Sequence, residues 1–330
     1  MNSVKSNQMP DISQLQIAIL IPCLNEEASI KHVVKGFREV LPNALIYVYD
    51  NGSSDKTASI ARGAGAIVRF ESYQGKGNVV CRMFSDIEAD IYVLVDGDNT
   101  YNPGTTPELI NRLIDGQNDM VCGSRVSMNN AVYRKGHRFG NVFLTGLVSR
   151  LFKGQVRDMM SGYRVFSRRF VKSFPAQSHG FEIETQFIIH ALEMKMSFDE
   201  IDTPYKERMT GSDSKLKTIK DGWKILCTIG YLVKEERPLI FFTTIFVILS
   251  ISSIILAWPV VTEFMQTGLV PRFPTAILST GLMILAFLSL ASGLILDSVA
   301  NGRREMKRLK YLSLESLSNR IHRLKQKGDK

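Results

Sequence analysis

Two uncharged apolar runs, Leu239–Trp258 and Thr275–Leu296, constrain this chain of 330 residues more than any other feature. Each is about long enough to cross a hydrocarbon layer of roughly 30 Å at 1.5 Å per helical residue. A pair of buried soluble helices is the rival explanation, weakened because two such runs lie side by side near the C-terminus. The expectation is therefore two membrane helices, 239–258 and 275–296, within a segment 238–297.

The net charge of +9 is concentrated around them. Arg303, Arg304, Lys307, Arg308 and Lys310 follow the second run, Lys234 and Arg237 precede the first, and the connecting loop Pro259–Pro274 holds only Glu263 and Arg272. The positive-inside rule then puts both flanks and both termini in the cytoplasm and the loop outside. Nucleic-acid binding would also use basic charge, but no nucleic-acid motif accompanies it. Ile17–Ile21, stopped by Pro22, is too short for a signal-peptide apolar region, so the remainder is expected to be cytoplasmic, at the cell (inner) membrane. Cys23, Cys81, Cys122 and Cys227 have neither zinc-ligand nor disulfide spacing and read as reduced thiols.

Ahead of the apolar runs the chain beats in strand, loop and helix. Ile17–Ile21 leads through Pro22-Cys23-Leu24-Asn25-Glu26-Glu27 to a helix with Ile30, Val33, Val34, Phe37, Val40 and Leu41 on one face, ended by Pro42. Ala44–Tyr49 is a second strand, followed by Asp50-Asn51-Gly52-Ser53-Ser54-Asp55 and a helix Lys56–Arg62 capped by Ser54 or Asp55. Ala66–Phe70 is a third, and Gly75-Lys76-Gly77 opens a helix Asn78–Ser85, where a lysine can meet a phosphate. The fourth begins at Ile91 and ends abruptly in Asp96-Gly97-Asp98-Asn99-Thr100-Tyr101. A short, β-branched, aromatic run ending in carboxylates reads as a buried parallel strand whose carboxyl end opens onto a site. Two aspartates one residue apart can hold a hard divalent cation whose other positions go to phosphate oxygens and water; a plain turn is the alternative, since Asp, Gly and Asn are ordinary turn residues. Helix Pro107–Ile114 and strand Asp119–Cys122 continue the rhythm. Beyond them come a basic cluster, Arg134-Lys135-Gly136-His137-Arg138, a polar turn, Asp158-Met159-Met160-Ser161-Gly162-Tyr163-Arg164, and a helix Phe181–Met196. The fold class expected is α/β, a mostly parallel Rossmann-like sheet with helices on both faces, plus the C-terminal two-helix hairpin. Leu216–Val233 is a basic amphipathic stretch, either interfacial or packed on the domain. The organisation is a tail 1–14, a catalytic domain 15–214, an amphipathic region 215–237, the spans, and a basic cytoplasmic tail 298–330.

Taken together, Pro22-x-x-Asn25-Glu26, Asp50-x-x-Ser53-x-Asp55-x-Thr57, Gly75-Lys76-Gly77, Asp96-x-Asp98, Gly123-Ser124-Arg125 and Ser161-Gly162-Tyr163-Arg164 resemble the family 2 glycosyltransferases of GT-A fold. More closely, residues 15 to 235 resemble the polyprenyl-phosphate glycosyltransferases, which include dolichol-phosphate mannose synthases and undecaprenyl-phosphate glucosyltransferases. That resemblance implies inverting transfer of a hexose from a nucleotide sugar to a polyprenyl phosphate at the cytoplasmic membrane face. Two departures, Thr100 where mannose synthases commonly carry glutamine and Asp50-Asn51 for the commoner Asp-Asp, favour UDP-glucose as donor, with GDP-mannose as the alternative.

By the same resemblance Pro22, Leu24, Glu26 and Asp50 line the nucleobase and ribose pocket, Asp96 lies near the ribose and metal, and Ser53 and Lys76 belong to the donor site. Asp98, with Asp96, binds Mg²⁺ or Mn²⁺. Arg208 and Lys215 reach the donor diphosphate, in a segment one residue longer than the family's Arg-x-x-Gly-x-Ser-Lys. Arg125 and Arg138 receive the acceptor phosphate. Asp158 either orients a basic residue or contacts the sugar or metal, and Glu182 and Glu184 either cap their helix or bind sugar hydroxyls. The partners implied are the donor, the lipid acceptor and the bilayer; the small residues Gly281, Ala286, Ala291 and Gly293 permit close helix packing, either within one chain or between copies in a homo-oligomer. Two other classes fit part of the pattern: a nucleotidyltransferase, which needs no membrane spans, and a membrane-tethered nucleotide-sugar scaffold, disfavoured by intact Asp96, Asp98, Arg125 and Lys215.

Overall fold

In the computed structural model, residues 14–127, 157–175, 183–206 and 237–328 are described, with the isolated positions 146, 230, 234 and 235. The chain divides into two compact units, residues 1–218 with 307–330, and residues 219–306.

The first unit is built on a seven-stranded sheet. Strands β1 (Ile17–Cys23), β2 (Leu45–Asp50), β3 (Ile67–Phe70) and β4 (Ile91–Leu94) alternate with helices α1 (Ile30–Val40), α2 (Thr57–Gly63) and α3 (Lys76–Asp86). Then come α4 (Thr106–Asp115), β5 (Met120–Ser127), β6 (Arg164–Ser167), α5 (Arg168–Ser173), α6 (Ile183–Glu193) and β7 (Phe198–Tyr205). The strand order is β3-β2-β1-β4-β6-β5-β7, parallel throughout except for β6, which runs antiparallel to both β4 and β5. Because β2 lies on one side of β1 and β4 on the other, the order reverses at β1. In an open α/β sheet ligands bind outside the carboxyl ends of the strands at such a switch point.

Alternation of side chains across the strands gives the sheet two apolar faces. Ile19, Ile21, Ile46, Val48, Ile91 and Val93 pack with Val33, Val34 and Phe37 of α1 and Leu109, Ile110 and Leu113 of α4. The other face carries an aromatic cluster in which Phe84 of α3, Phe166 of β6, Phe170 of α5 and Phe187 of α6 meet edge-on or tilted, with Phe166 stacked on Phe170 at 4.7 Å. Helix α2 starts differently from expectation. Neither Ser54 nor Asp55 is its N-cap, which is Lys56 with no side-chain cap bond; Asp55 instead accepts from the Thr57 N–H at 2.9 Å.

Strands β6 and β7 had no counterpart in the sequence reading. Arg164, expected in a polar turn, begins β6 and is fully buried, and β7 carries Asp199, Glu200 and Asp202, which hide its period.

The second unit holds helix α7 (Pro238–Thr267) and most of α8 (Phe273–Leu312), both long and apolar enough to cross a membrane. The loop expected at Pro259–Pro274 is shorter, because α7 continues through Pro259 and ends only at Gly268, whose φ of 70° is a left-handed cap. The buried positions of α8, Ser279, Ala286, Gly293 and Ala300, recur every seventh residue, the seam of a left-handed helix pair. Of the four small residues expected to pack closely, Ala286 and Gly293 are buried, Gly293 against Phe242, whereas Ala291 is exposed and a side chain at Gly281 would meet nothing.

The segment 298–328 is mostly helical rather than a plain basic tail. Helix α9 (Leu317–Gly328) packs Leu317, Ile321 and Leu324 against the core of the first unit, and Arg320 pairs with Asp90 at 3.0 Å. Lys307 pairs with buried Glu193 at 3.2 Å, and Tyr311 donates to Asp119 at 2.8 Å.

His190 on α6 is buried between Phe170 and Phe174, with Nε2 3.2 Å from Ser173 Oγ and no partner at Nδ1. Burial, seconded by the Lys307 charge, pulls its pKa down to about 3. The unfolded chain therefore binds a proton near pH 6.5 that the folded chain refuses, so stability is full above about pH 6.5 and falls as pH drops toward 3. Between pH 6.5 and 4.5 this group should remove about 2–3 kcal/mol. Melting of the purified protein followed by circular dichroism should fall more steeply over that range for the wild type than for His190→Leu; parallel curves would show that His190 does not set the acid limb.

Candidate active site

The loops after β1 and β2 are laced together at the switch point. Asn25, at a φ of 52°, donates its N–H to Ser53 Oγ at 2.9 Å and accepts from the Ser54 N–H at 2.8 Å. The Glu26 N–H donates to Thr57 Oγ1 at 2.8 Å, and Asp50 accepts from the Ser53 N–H and hydroxyl. Asn51 fastens the next loop, donating to the carbonyls of Glu71 and Tyr73 at 3.0 and 2.8 Å and accepting from the Gly75 N–H at 2.7 Å. The sequence marked Asn51 only as a departure from Asp-Asp; an amide is needed here because the residue must both donate and accept. Pro22, Leu24, Glu26, Asp50 and Ser53 thus share one rim.

The acid pair leaves the end of β4. Ser29 Oγ donates to the Gly97 carbonyl at 2.7 Å, and a Cβ at Gly97 would lie 2.6 Å from Cys23 Sγ, so any side chain at the centre of the turn would have to displace that sulfur. Asp98 is buried and accepts from Thr100 Oγ1 at 2.6 Å. Thr100, where a glutamine was the commoner expectation, orients that carboxylate. Asp96 lies against Gly162, where a Cβ would overlap its carboxyl group. Lys76 Nζ sits 2.5 Å from Asp96 Oδ1 and 2.5 Å from Glu184 Oε1. Burial pulls the Lys76 ammonium down, and the two carboxylates more than reverse this, holding it above its ordinary value. Glu184 is therefore no simple helix cap: it is the buried counter-ion of Lys76.

Arg125 on β5 is gripped by Asp158 in a fork, Nε to Oδ2 at 2.7 Å and Nη2 to Oδ1 at 2.8 Å, with its guanidinium 5.6 Å from the Tyr205 ring centre. Burial pushes the Asp158 carboxyl up, but hydrogen bonds and charge from Arg125 outweigh it, leaving Asp158 below the usual carboxylate range. Of the two roles open to Asp158, orienting a basic residue is the one its contacts show. One wall joins the two clusters. Gly162 touches Asp96 and donates its N–H to Tyr101 Oη at 2.9 Å, while Ser161 Oγ donates to the Gly123 carbonyl at 2.5 Å, two residues before Arg125. Arg138, Glu182, Arg208, Lys215 and, apart from Gly230, the stretch Leu216–Val233 lie outside the described residues.

Among the described residues no three of His, Cys, Asp and Glu converge as a ready cation cage. The oxygen donors of Asp96 and Asp98 suit a hard cation of the Mg²⁺ kind, which takes one or two carboxylates and completes its shell with waters and substrate phosphates.

Residues 18–174 match glycosyl transferase family 2. The chain is 53% identical to protein RfbJ of Shigella flexneri over 123 residues, 37% of this chain and 95% of that one. It is 27% identical to a dolichyl-phosphate hexose transferase of Haloferax volcanii over 222 residues, 67% and 95% of the two chains. The chain belongs to glycosyl transferase family 2. Its α/β unit also resembles glucosyl-3-phosphoglycerate synthase of Mycobacterium tuberculosis, solved with Mn²⁺, uridine diphosphate and glucosyl-3-phosphoglycerate, with a TM-score of 0.57 and 21% identity over 68% of this chain and 80% of that one. This likeness shows the fold, GT-A, and the family makes the chain a glycosyltransferase.

Gly162→Ala should test the wall. A Cβ there must displace the Asp96 carboxylate, and misplacing a catalytic group by about 1 Å can cost about 10²-fold in rate. We expect the purified variant to melt near the wild type while glycosyl transfer drops by about that factor; unchanged transfer would show that Asp96 need not sit where it does.

Proposed function

We propose that the protein transfers a hexose, glucose from UDP-glucose, to undecaprenyl or another polyprenyl phosphate at the cytoplasmic face of the cell membrane, with inversion at the anomeric carbon. The observation that carries this reading is the shared wall, which sets an acid pair with its lysine and a fork-held arginine around one crevice at the sheet's switch point. The relative that acts on dolichyl phosphate by name, the solved neighbour holding uridine diphosphate and Mn²⁺, and the two long apolar helices support it.

In this reading Pro22, Leu24, Glu26, Asp50 and Ser53 hold the nucleoside, and Asp96 and Asp98 hold Mg²⁺ or Mn²⁺. Bound there, the cation would offset the charge that develops on the leaving diphosphate. Lys76, Arg208 and Lys215 face that diphosphate with positive charge. An acceptor phosphate is ionised near neutral pH, so its oxygen attacks the anomeric carbon without a strong general base while the bond to the diphosphate breaks. It needs cationic docking, supplied by Arg125 and Arg138, and Asp158 sets the plane of Arg125. Glu184 is assigned to Lys76 rather than to sugar hydroxyls.

The test incubates purified protein with polyprenyl phosphate and a panel of radiolabelled UDP-glucose, GDP-mannose, and glucose-1-phosphate with UTP. Labelled lipid from UDP-glucose, lost in excess EDTA and restored by Mn²⁺, is the expected result; label from GDP-mannose alone changes the donor, and nucleotide-sugar synthesis from the third mixture replaces the reaction. Asp98→Ala should lower turnover by about 10²-fold or more. Arg125→Lys, which keeps the charge but loses the fork, should raise the acceptor KM with the donor KM little changed.

Topology has its own test. Lys307, Tyr311 and Arg320 bond to Glu193, Asp119 and Asp90 within the catalytic unit, which supports the flank after the second helix lying on the catalytic side. A cysteine at Leu269 should be labelled by an impermeant maleimide from outside intact cells, and one at Ser313 only after permeabilisation; the reverse pattern would overturn the topology.

A further inference from the structure

Lys76 is tied to two carboxylates of unequal standing. The Glu184 side chain is 8% exposed and that of Asp96 28%, so Glu184 is the buried anchor and Asp96 the solvent-facing end of the triad. The foot of the lysine is fixed, because it opens α3 directly after Gly75, at a φ of 122°, in the loop that Asn51 grips. Its head is not fixed in the same sense: an ammonium is a compact charge on a flexible stem and can change partners by rotation.

Asp96 is also half of the acid pair. A divalent cation arriving beside Asp96 meets an ammonium already on that carboxylate, and the two like charges repel at such separations. The cation must therefore expel Lys76 from Asp96, and in doing so leave a mostly buried positive charge with Glu184 as its one remaining carboxylate partner among the described residues. A diphosphate arriving together with the cation removes that penalty by offering Lys76 new oxygens.

Building on the donor reading above, we propose that Lys76 is an exchangeable counter-ion, which neutralises Asp96 until a divalent cation and the nucleotide diphosphate enter together, then passes to the diphosphate while staying tied to Glu184. Cation and nucleotide are thereby coupled: each binds weakly alone and each strengthens the other by the same factor, since linkage is reciprocal. Couplings between sites are typically about 5- to 150-fold.

The experiment measures Mn²⁺ affinity of the full-length detergent-purified chain by the electron paramagnetic resonance of free Mn²⁺, with and without uridine diphosphate. The wild type should gain about 5- to 150-fold in Mn²⁺ affinity from the nucleotide. Lys76→Met should bind Mn²⁺ alone more tightly than the wild type and lose most of that gain. Should Lys76→Met fail to fold, Lys76→Gln, whose amide can hydrogen-bond with both carboxylates, makes the same measurement. A variant with the wild-type affinity for Mn²⁺ alone and the full nucleotide gain overturns the exchange while leaving the donor site standing. A wild type that binds neither Mn²⁺ nor uridine diphosphate overturns the exchange and the donor reading together.

Discussion

A single buried cation supports both halves of the crevice. Arg164 is fully buried at the start of β6, donates to the carbonyls of Ser161 and Met159 at 3.0 and 2.7 Å, and lies 5.5 Å from the Phe187 ring centre. Those two carbonyls lie between Asp158, which grips Arg125, and Gly162, which meets Asp96, in one loop. Removing the guanidinium would leave two buried carbonyls unsatisfied at about 1–3 kcal/mol each, a large share of the roughly 5–15 kcal/mol that holds a typical domain together. The loop therefore has little freedom to settle elsewhere while the sheet is folded.

The antiparallel course of β6 sets where that loop lies. A further crossover would have placed another parallel strand beside β4, with its carboxyl end at the crevice. Instead β6 starts there, so the loop entering it, rather than one leaving it, faces the acid pair. Gly162 is then the residue of closest approach, and its missing side chain is what admits the Asp96 carboxylate.

The first four strands, α1, α4 and the apolar runs were legible because burial wrote itself into period or into long uncharged stretches. Ile17 to Cys23 is nearly continuous in apolar residues because both of its faces are covered. β6 and β7 were hidden for the opposite reason: their polar residues are satisfied by partners far away in sequence. Arg157 bridges to Glu200 and Asp202 of β7, and Ser167 donates to Asp119. The acid pair and the arginine of Gly123-Ser124-Arg125 could be found from motifs, but the counter-ion role of Glu184 could not, because Lys76 lies 108 positions away from it. The helix α9 was missed because a basic amphipathic segment offers the same pattern to a bilayer as to a protein surface.

The two cations of the crevice differ in kind, and the difference suits the roles proposed for them. Arg125 presents a planar fork to Asp158, an arrangement that fixes direction and that a lysine could not reproduce. A group that docks a phosphate for in-line attack gains from fixed direction, since misalignment at the reacting centre is expensive. Lys76 presents a point charge between two carboxylates, fixed in position by its backbone but not in direction. A group that must answer first to a carboxylate and then to a departing diphosphate gains from that freedom. Exchanging the two residue types would leave the net charge unaltered and would misplace rigidity and mobility alike, which is why the charge count of this crevice says less about its chemistry than the identity of each cation.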